Sequence, residues 1–198
     1  MEWLKHIAIL VRHGESETNI RGLISEDIEG FPLTENGIKQ AKKTADELMK
    51  SNAQKIFSSP VLRARETASI ISSAMGVEVT IDNHIRESGL GPYNNKHFKL
   101  IPGGRRENFG FEPYDEIKKR MITSLLANSG INIFVSHELP IKAAISEILD
   151  LDEEESKGVK LGNASITIID INRRKIISIG SRELTPRIIS LLNDHENL

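Results

Sequence analysis

The sequence contains no cysteine. Disulfides, thiolate metal sites and cysteine nucleophiles are therefore excluded together. The 198 residues also lack any apolar run approaching the ~20 residues of a membrane-spanning helix, so we expect neither insertion into a membrane nor a membrane partner. A net charge of −2 gives no general attraction to nucleic acid. Any anion that binds must therefore be held by basic residues placed locally.

The length suits one domain spanning residues 1–198. Near the N-terminus, the apolar run from Ile7 to Val11 is followed by Arg12 and His13 rather than by the small residues of a signal-cleavage site. We therefore expect a cytoplasmic protein.

Segments with strand and helix patterns alternate along the chain. The run from Ile7 to Val11 is typical of a strand buried on both faces of a parallel sheet. This alternation predicts a three-layer α/β/α sandwich with a mostly parallel, twisted sheet, whose last hairpin adds an antiparallel edge. An edge strand of this kind could pair two copies into a homodimer. Further strands are predicted at 56–57, 77–81, 131–135, 166–171 and 176–179, and helices over about 34–50, from Ser59-Pro60 to Gly76, from Pro113, and after His137.

The hydrophobic periodicity lapses between residues 86 and 112. Glycine, proline and asparagine accumulate there, notably around Pro92 and Pro102-Gly103-Gly104. We interpret this segment as a small cap or substrate loop over a functional site.

Three polar segments each follow a predicted strand directly. They are Arg12-His13-Gly14, Ser58 to Arg63, and Ser136-His137. Ligands of open α/β sheets bind at the carboxyl edge of the strands, and the helices that start there add backbone donors. Two arginines and two histidines from distant parts of the sequence are thus predicted to form one anion site, for which phosphate is the natural ligand.

The motifs around these segments occur in a specific order. Arg12-His13-Gly14-Glu15, followed by Ser16 and Asn19, begins the set, and Val135-Ser136-His137 ends it. Between them lie Pro32-Leu33-Thr34-x-x-Gly37-x-x-Gln40-Ala41 and Ser58-Ser59-Pro60-x-x-Arg63-Ala64-x-x-Thr67-Ala68. This ordered set resembles the histidine phosphatase superfamily, the phosphoglycerate mutase-like proteins. The resemblance implies their α/β/α fold and phosphoryl transfer through a phosphohistidine.

The resemblance also implies a role for each residue of the site. His13 is the expected nucleophile, with its second ring nitrogen held as a donor by a nearby backbone carbonyl. Arg12 and Arg63 offer planar forks of donors to the transferring phosphoryl group, and His137 is a further donor. Glu87 occupies the position of the general acid and could later serve as the base toward water. No metal is required, since the arginines supply the positive charge.

Two features depart from this pattern or leave it open. Glu138 follows His137 where glycine is frequent in the family, and a carboxylate there would repel phosphate unless it points away. Glu15, Glu107 and Glu138 are other carboxyls in or near the predicted loops, so the identity of the acid stays open.

The same site supports several outcomes. Hydrolysis of a small phosphorylated metabolite is favoured, because the segment between Glu87 and His137 is compact, whereas mutases of this family usually carry a long insertion there. A phosphoglycerate mutase using 2,3-bisphosphoglycerate is the alternative, and a catalytically weak phospho-ligand-binding regulatory protein is a second. Candidate substrate-binding residues are Ser16 and Asn19 in the first motif, and the basic residues Arg21, Lys96, Lys99, Arg105 and Arg106.

Overall fold

The computed structural model of the chain describes residues 5–193. Six strands form one sheet in the order β3-β2-β4-β1-β5-β6. The strands are β1 (His6–Arg12), β2 (Lys55–Ser58), β3 (Val79–Ile81), β4 (Gly130–Ser136), β5 (Ile166–Asp170) and β6 (Lys175–Ser181). Strands β1 to β4 are mutually parallel, whereas β5 is antiparallel to β1 and β6 is antiparallel to β5. The prediction of a mostly parallel sheet with an antiparallel edge is confirmed.

Helices cover both faces of this sheet. They are α1 (Glu17–Arg21), α2 (Glu35–Leu48), α3 (Leu62–Met75), α4 (Tyr114–Ala127), α5 (Glu138–Leu149), α6 (Glu153–Ser156) and α7 (Pro186–Asn193). Short 3-10 turns lie at 83–85, 91–93, 98–100 and 106–109. Neither α1 nor α7 is among the predicted helices. Helix α1 spans little more than one turn, whereas α7 has an amphipathic apolar pattern, with Ile188, Ile189 and Leu192 in the core, that the prediction of two closing strands misses.

The alternation of side chains along β1 explains the three layers. Ile7, Ile9 and Val11 pack with α2, α3 and α7 in one buried apolar cluster. Ala8 and Leu10 point the other way, into a second cluster with α4 and α5. Residues 7–11 are at most 2% exposed, so this strand is buried on both faces, as its continuous apolar run predicts.

The start of α3 corrects one sequence prediction. Ser59 and Pro60 do not form the N-cap and first turn, because the helix begins at Leu62 with Val61 as its N-cap. Ser59 instead extends the chain beyond β2, where its backbone N–H donates to Val135 O at 3.0 Å. Its hydroxyl is thereby free to contact a side chain of the site. The predicted stop is confirmed, because Gly76 takes the left-handed conformation at the C-cap.

The register of the sheet sets three strand ends side by side. Arg12 of β1 is paired with Ser136 of β4, and Ser58 of β2 is paired with Val135. The residues that follow these strands therefore leave the sheet at one edge. Within residues 5–193, no helix combines the length and apolar character that crossing a membrane requires.

Candidate active site

The structure brings His13, Arg63 and His137 together at this edge. The His13 backbone N–H donates to Ser136 O at 2.9 Å, which fixes the turn after β1 beside the end of β4. The rings of His13 and His137 have their centroids 5.2 Å apart. All three side chains are at most 3% exposed.

Hydrogen bonds fix the tautomer of His13. Arg63 Nε lies 3.2 Å from His13 Nε2 and can only donate, so Nε2 must be the acceptor and Nδ1 carries the proton. Nδ1 in turn donates to Gly14 O at 2.7 Å. The nitrogen that a nucleophile needs is therefore unprotonated, and the backbone carbonyl holds the ring.

Burial keeps the imidazole of His13 neutral. The pKa of His13 is lowered well below 6.5, first by desolvation and then by the positive charges of Arg63 and Arg12. The hydrogen bond to Gly14 raises this pKa but does not compensate. An uncharged ring whose Nε2 is unprotonated is the form that can attack phosphorus, once Arg63 releases the hydrogen bond that it donates to Nε2.

Arg63 is a buried cation with a carboxylate partner. Its NH2 group donates to Ser25 O at 2.8 Å and lies 3.4 Å from Glu87 Oε2. Burial lowers the pKa of the Arg63 guanidinium, and the charge of Glu87 opposes that shift. A guanidinium remains charged under these conditions. The side chain thus places positive charge directly beside His13.

Arg12 approaches the site from the end of β1. Its NH1 group donates to Leu161 O at 2.6 Å and pairs with Glu138 Oε2 at 3.0 Å. The other Glu138 oxygen pairs with Lys142 at 2.7 Å, one helical turn along α5. Glu138 thus forms ion pairs with two cations, one of which, Arg12, is predicted to bind the phosphate group.

His137 and Glu87 lie next to each other in the site. The Ser59 hydroxyl is 2.8 Å from His137 Nε2, and Glu87 Oε2 is 3.4 Å from His137 Nδ1. Desolvation, followed by the positive charge of Arg63 and by smaller contributions from His13, Arg120 and Arg12, lowers the pKa of His137 well below 6.5. Glu87 is partly exposed, with 18% of its side chain accessible. A carboxyl group between the site and solvent is suited to exchanging protons with both.

Three buried nitrogen atoms of the site have no hydrogen-bond partner among residues 5–193. They are Arg12 Nε, Arg63 NH1 and His137 Nδ1. The Glu87 contact to His137 is an ion-pair distance without hydrogen-bond geometry. Arg12 Nε and Arg63 NH1 can only donate, and His137 Nδ1 donates in the tautomer whose Nε2 accepts from the Ser59 hydroxyl. Leaving a buried donor unpaired costs about 1–3 kcal/mol, so this cluster indicates an absent acceptor-rich ligand.

A cavity of about 270 Å³ opens onto Arg12, Arg63 and His13, whereas His137 lies outside its lining and contacts the lining residue Glu87. Its apolar wall includes Leu23, Ile24, Leu90, Ile101 and Phe111. Its polar lining includes His13, Arg12, Arg63, Glu87, Asn19, Glu138, Arg106 and Lys142. Among the carboxyls considered as the acid, Glu87 and Glu138 line the cavity, whereas Glu15 and Glu107 are outside this lining.

The predicted substrate-binding residues are placed less uniformly. Asn19 lines the cavity, but Ser16 is fully buried and its hydroxyl contacts Thr18 and Asn19. Arg21 is exposed, pairs with Glu17 and lies over the ring of Phe31. Lys96, Lys99 and Arg105 are exposed and do not line the cavity, whereas the neighbouring Arg106 does. A role in substrate binding for the residues outside the lining stays a prediction.

Lys142 lines the cavity without being suggested by the motifs. The available signal is its spacing, because Glu138 and Lys142 are four residues apart on a predicted helix and can form an ion pair. Glu138 itself is recognisable in the sequence as a departure from the family pattern. Its pairing with Arg12 depends on the tertiary fold.

Comparison with known proteins identifies the family. The family model of the histidine phosphatase superfamily (branch 1) matches residues 8–179. The chain belongs to the histidine phosphatase superfamily. The expectation of an enzyme of this superfamily, which transfers phosphoryl groups, is thereby confirmed.

Relatives within the superfamily include both phosphatases and mutases. The chain is 37% identical to a 2,3-bisphosphoglycerate-dependent phosphoglycerate mutase of Thermoplasma acidophilum, over 94% of this chain and 98% of the relative. It is 27% identical, with a TM-score of 0.77, to a phosphoserine phosphatase of Entamoeba histolytica solved with 3-phosphoglyceric acid, over 92% and 98% of the two chains. The fold is also shared with YhfR of Bacillus stearothermophilus, at 20% identity and a TM-score of 0.79, over 88% and 96%.

Proposed function

We propose that this chain is a phosphomonoester hydrolase that transfers the phosphoryl group of a small metabolite to His13 and then to water. The observation that carries the proposal is the set of unpaired nitrogens near the unprotonated Nε2 of His13: the donors of Arg12 and Arg63, and Nδ1 of His137, which donates in its Nδ1–H tautomer. A phosphate group offers enough acceptor oxygens to satisfy all three donors, and its charge matches the two arginines.

In the first half-reaction, His13 Nε2 attacks phosphorus as the bond from phosphorus to the leaving oxygen breaks. Arg63 then turns its donors from Nε2 to the phosphoryl oxygens, and Arg12 binds a second edge of the group. The arginines stabilise the charge on the equatorial oxygens. Protonated Glu87 donates its proton to the leaving oxygen, so the alcohol departs neutral.

In the second half-reaction, water attacks phosphorus on the opposite side from His13. The Glu87 carboxylate takes a proton from that water as the bond to Nε2 breaks. His13 returns to its neutral form and inorganic phosphate leaves. The bond from Nδ1 to Gly14 holds the ring through both steps, so the ring need not reorient.

Water is favoured as the acceptor by the outer part of the cavity. We propose that residues 86–112 form its cap, and the partial exposure of Glu87 and Glu138 leaves a route for solvent. A mutase must also hold a second phosphate at that end. The cations there are Arg106 and Lys142, which are already paired with Glu153 at 3.6 Å and Glu138 at 2.7 Å.

A phosphoglycerate mutase using 2,3-bisphosphoglycerate is the second candidate. The 37% identity to the Thermoplasma acidophilum mutase over almost the whole chain is the observation that favours it. Both candidates share the phosphohistidine and differ in what removes the phosphoryl group. Rotation of Lys142 away from Glu138 would be needed to provide the second phosphate site.

Labelling the enzyme tests the first step. A small phosphomonoester labelled with ³²P should give an acid-labile, base-stable phosphoenzyme, and His13→Ala should abolish the label. His84→Ala is a matched control, since His84 is exposed and contacts Asp82. Wild-type protein that binds phosphate but is never labelled would instead be a catalytically weak phospho-ligand-binding protein.

Product analysis distinguishes water from a second metabolite as acceptor. Release of phosphate from 3-phosphoglycerate and its conversion to 2-phosphoglycerate are measured together, with and without 2,3-bisphosphoglycerate. We expect release to exceed conversion in both conditions. Faster conversion that depends on the bisphosphate would assign the mutase activity.

A further inference from the structure

Arg120 lies outside the cavity lining, yet its guanidinium points at the chain that carries Glu87. Its NH1 group donates to His84 O at 2.6 Å and to Arg86 O at 2.8 Å. Its NH2 group donates to Glu87 O at 3.2 Å. One side chain of α4 therefore binds three carbonyls within four consecutive residues, and the last of them belongs to Glu87 itself.

Glu112 binds both Arg120 and the backbone that follows Glu87. It accepts from Arg120 Nε at 2.8 Å and from Arg120 NH2 at 3.1 Å. It also accepts from the Gly89 backbone N–H at 2.9 Å and from Arg86 at 3.1 Å. Burial raises the pKa of Glu112, but the hydrogen bonds from Arg120 and Gly89 leave this pKa below its ordinary value. The pair therefore holds the backbone before, at and after Glu87.

The Glu87 side chain has few ties of its own. Its Oε2 lies 3.4 Å from both Arg63 NH2 and His137 Nδ1, which is long for a charge-assisted hydrogen bond. Within the described part of the chain, its Oε1 accepts only from the adjacent Ser88 N–H, at 2.9 Å. The position of the carboxyl group is therefore set mainly by its backbone, and the backbone is held by Arg120 and Glu112.

We infer that Arg120 and Glu112 are positioning residues that set the reach of the Glu87 carboxyl group to the leaving oxygen. This inference rests on the proposed role of Glu87 as general acid. A displacement of about 1 Å of a reacting group can cost about 10²-fold in rate, so loss of this clamp is expected to impair proton donation. Neither residue lines the cavity, and binding of the phosphate group should be unaffected.

Arginine is required at position 120 by the geometry of the contacts. The five interactions spread over all three guanidinium nitrogens, in a planar fork that a lysine ammonium with three donors cannot reproduce. Arg120→Lys should therefore retain the charge beside Glu112 but lose most of the grip on the carbonyls. We expect it to be intermediate between wild type and Arg120→Met.

The test compares substrates that differ in their need for an acid. An alkyl phosphate has a poor leaving group that must be protonated, whereas p-nitrophenyl phosphate releases a stable anion. For Arg120→Met and Glu112→Gln, we expect kcat/KM to fall roughly 30-fold for the alkyl substrate and at most about 3-fold for the aryl substrate. Glu87→Gln should show the same selectivity with a larger loss, and adding Arg120→Met to it should cause little further loss.

Arg65→Met is the matched control, because Arg65 forms an exposed pair with Glu29 at 2.7 Å on α3. It should leave the ratio of kcat/KM for the alkyl substrate to kcat/KM for the aryl substrate unchanged. Thermal unfolding should show that each variant is folded. If Arg120→Met does not fold, Glu112→Gln and Arg120→Lys give the same readout. If Arg120→Met and Glu112→Gln lose kcat/KM equally on both substrates, or lose none, while Glu87→Gln still loses more on the alkyl substrate, the positioning role is overturned. If Glu87→Gln leaves the ratio of kcat/KM for the alkyl and aryl substrates unchanged, Glu87 is not the general acid and the inference fails with it. Phosphoryl transfer to His13 is then still tested separately by the ³²P label.

Discussion

The inner end of the cavity and its outer end are built in different ways. At the inner end, His13, Arg63 and His137 follow three neighbouring strands and are fully buried. At the outer end, residues 86–112, which we propose as the cap, contain three of the short 3-10 turns and no strand, and Arg106 among them is paired with Glu153. The inner end leaves donors unpaired, whereas the two cations that line the outer end, Arg106 and Lys142, are paired with carboxylates.

This difference separates binding of the phosphoryl group from selection of the substrate. Unpaired buried donors raise the free energy of the empty site and are satisfied when an anion enters. Paired charges at the outer end must be broken before they can contact a ligand, so they contribute less to affinity. We therefore expect substitutions at the inner end to affect rate strongly, and those at the outer end to affect KM moderately.

Arg63→Met should have the largest effect. It removes the cation next to His13, and we expect kcat/KM to fall about 10³-fold because the charge of the transferring group is no longer stabilised. Stability should fall by no more than about 1–2 kcal/mol, since removal of the unpaired NH1 offsets part of the loss of the hydrogen bonds to His13, Ser25 O and Glu87. Kinetics with p-nitrophenyl phosphate and urea unfolding measure the two effects.

Arg65→Met, two residues along the same helix, controls for removal of an arginine from α3. It should retain the wild-type rate. Substantial activity in Arg63→Met would contradict the role of the unpaired donors at the inner end. A loss of stability well above about 2 kcal/mol would show that the hydrogen bonds of Arg63 outweigh its unpaired NH1.

The two buried histidines should make stability depend on pH. Their pKa values in the folded protein lie well below 6.5, so below that pH the unfolded chain binds protons that the folded chain does not. Stability is thus fully present above about pH 7.5 and falls as the pH drops below 6.5, by up to about 1.4 kcal/mol per pH unit for each histidine.

The measurement is the free energy of unfolding in urea between about pH 7.5 and 5.5. His137→Asn should reduce the slope, and added inorganic phosphate should also reduce it because a bound anion favours protonated His137. A His137→Asn variant with the wild-type slope would show that other groups cause the dependence.

The inner end could be predicted from sequence because its geometry follows local rules. A polar residue directly after a buried parallel strand must lie at the carboxyl edge of the sheet, and this rule places His13 and His137. Arg63 is near the start of a helix whose approximate position follows from its apolar stripe, even though the predicted start at Ser59-Pro60 is wrong. An error of two or three residues at a helix end does not move Arg63 off the edge.

The outer end could not be predicted in the same way because it has no periodic pattern. Arg105 and Arg106 are adjacent in a 3-10 region, where the direction of a side chain depends on tertiary contacts. Glu138 could be recognised as unusual, but its pairing with Arg12 requires the positions of β1 and α5 together. The clamp of Arg120 on residues 84–87 likewise depends on where α4 packs, which no local pattern specifies.

Glu138→Gln should have the next largest effect, on phosphate affinity. Glu138 Oε2 lies 3.0 Å from Arg12 NH1 and competes with the phosphate group for that guanidinium. Removing its charge should lower the inhibition constant for inorganic phosphate about 5- to 10-fold. The bound anion would then neither compete with a carboxylate for Arg12 nor be repelled by it. Inhibition constants at constant ionic strength give the comparison.

Glu147→Gln is a matched control on the same helix, since Glu147 pairs with Arg174 away from the cavity. It should leave the inhibition constant unchanged. Equal or weaker phosphate binding by Glu138→Gln would mean that Glu138 orients Arg12 instead of competing for it.

The neighbouring arginines of the cap give the smallest and most discriminating effect. Arg106 lines the cavity and is held by Glu112 O at 3.0 Å, by the Ser88 hydroxyl and by Glu153, whereas Arg105 is exposed. We expect Arg106→Met to raise KM for an anionic substrate about 3- to 5-fold and Arg105→Met to change it less than about 2-fold, because exposed charges are screened by solvent. The same two variants are compared with p-nitrophenyl phosphate, whose leaving group carries no further charge and should not distinguish them. A larger effect at Arg105 would show that the proposed cap rearranges when substrate binds. The contacts that recognise the substrate would then form only in the bound state and would differ from those of the free enzyme.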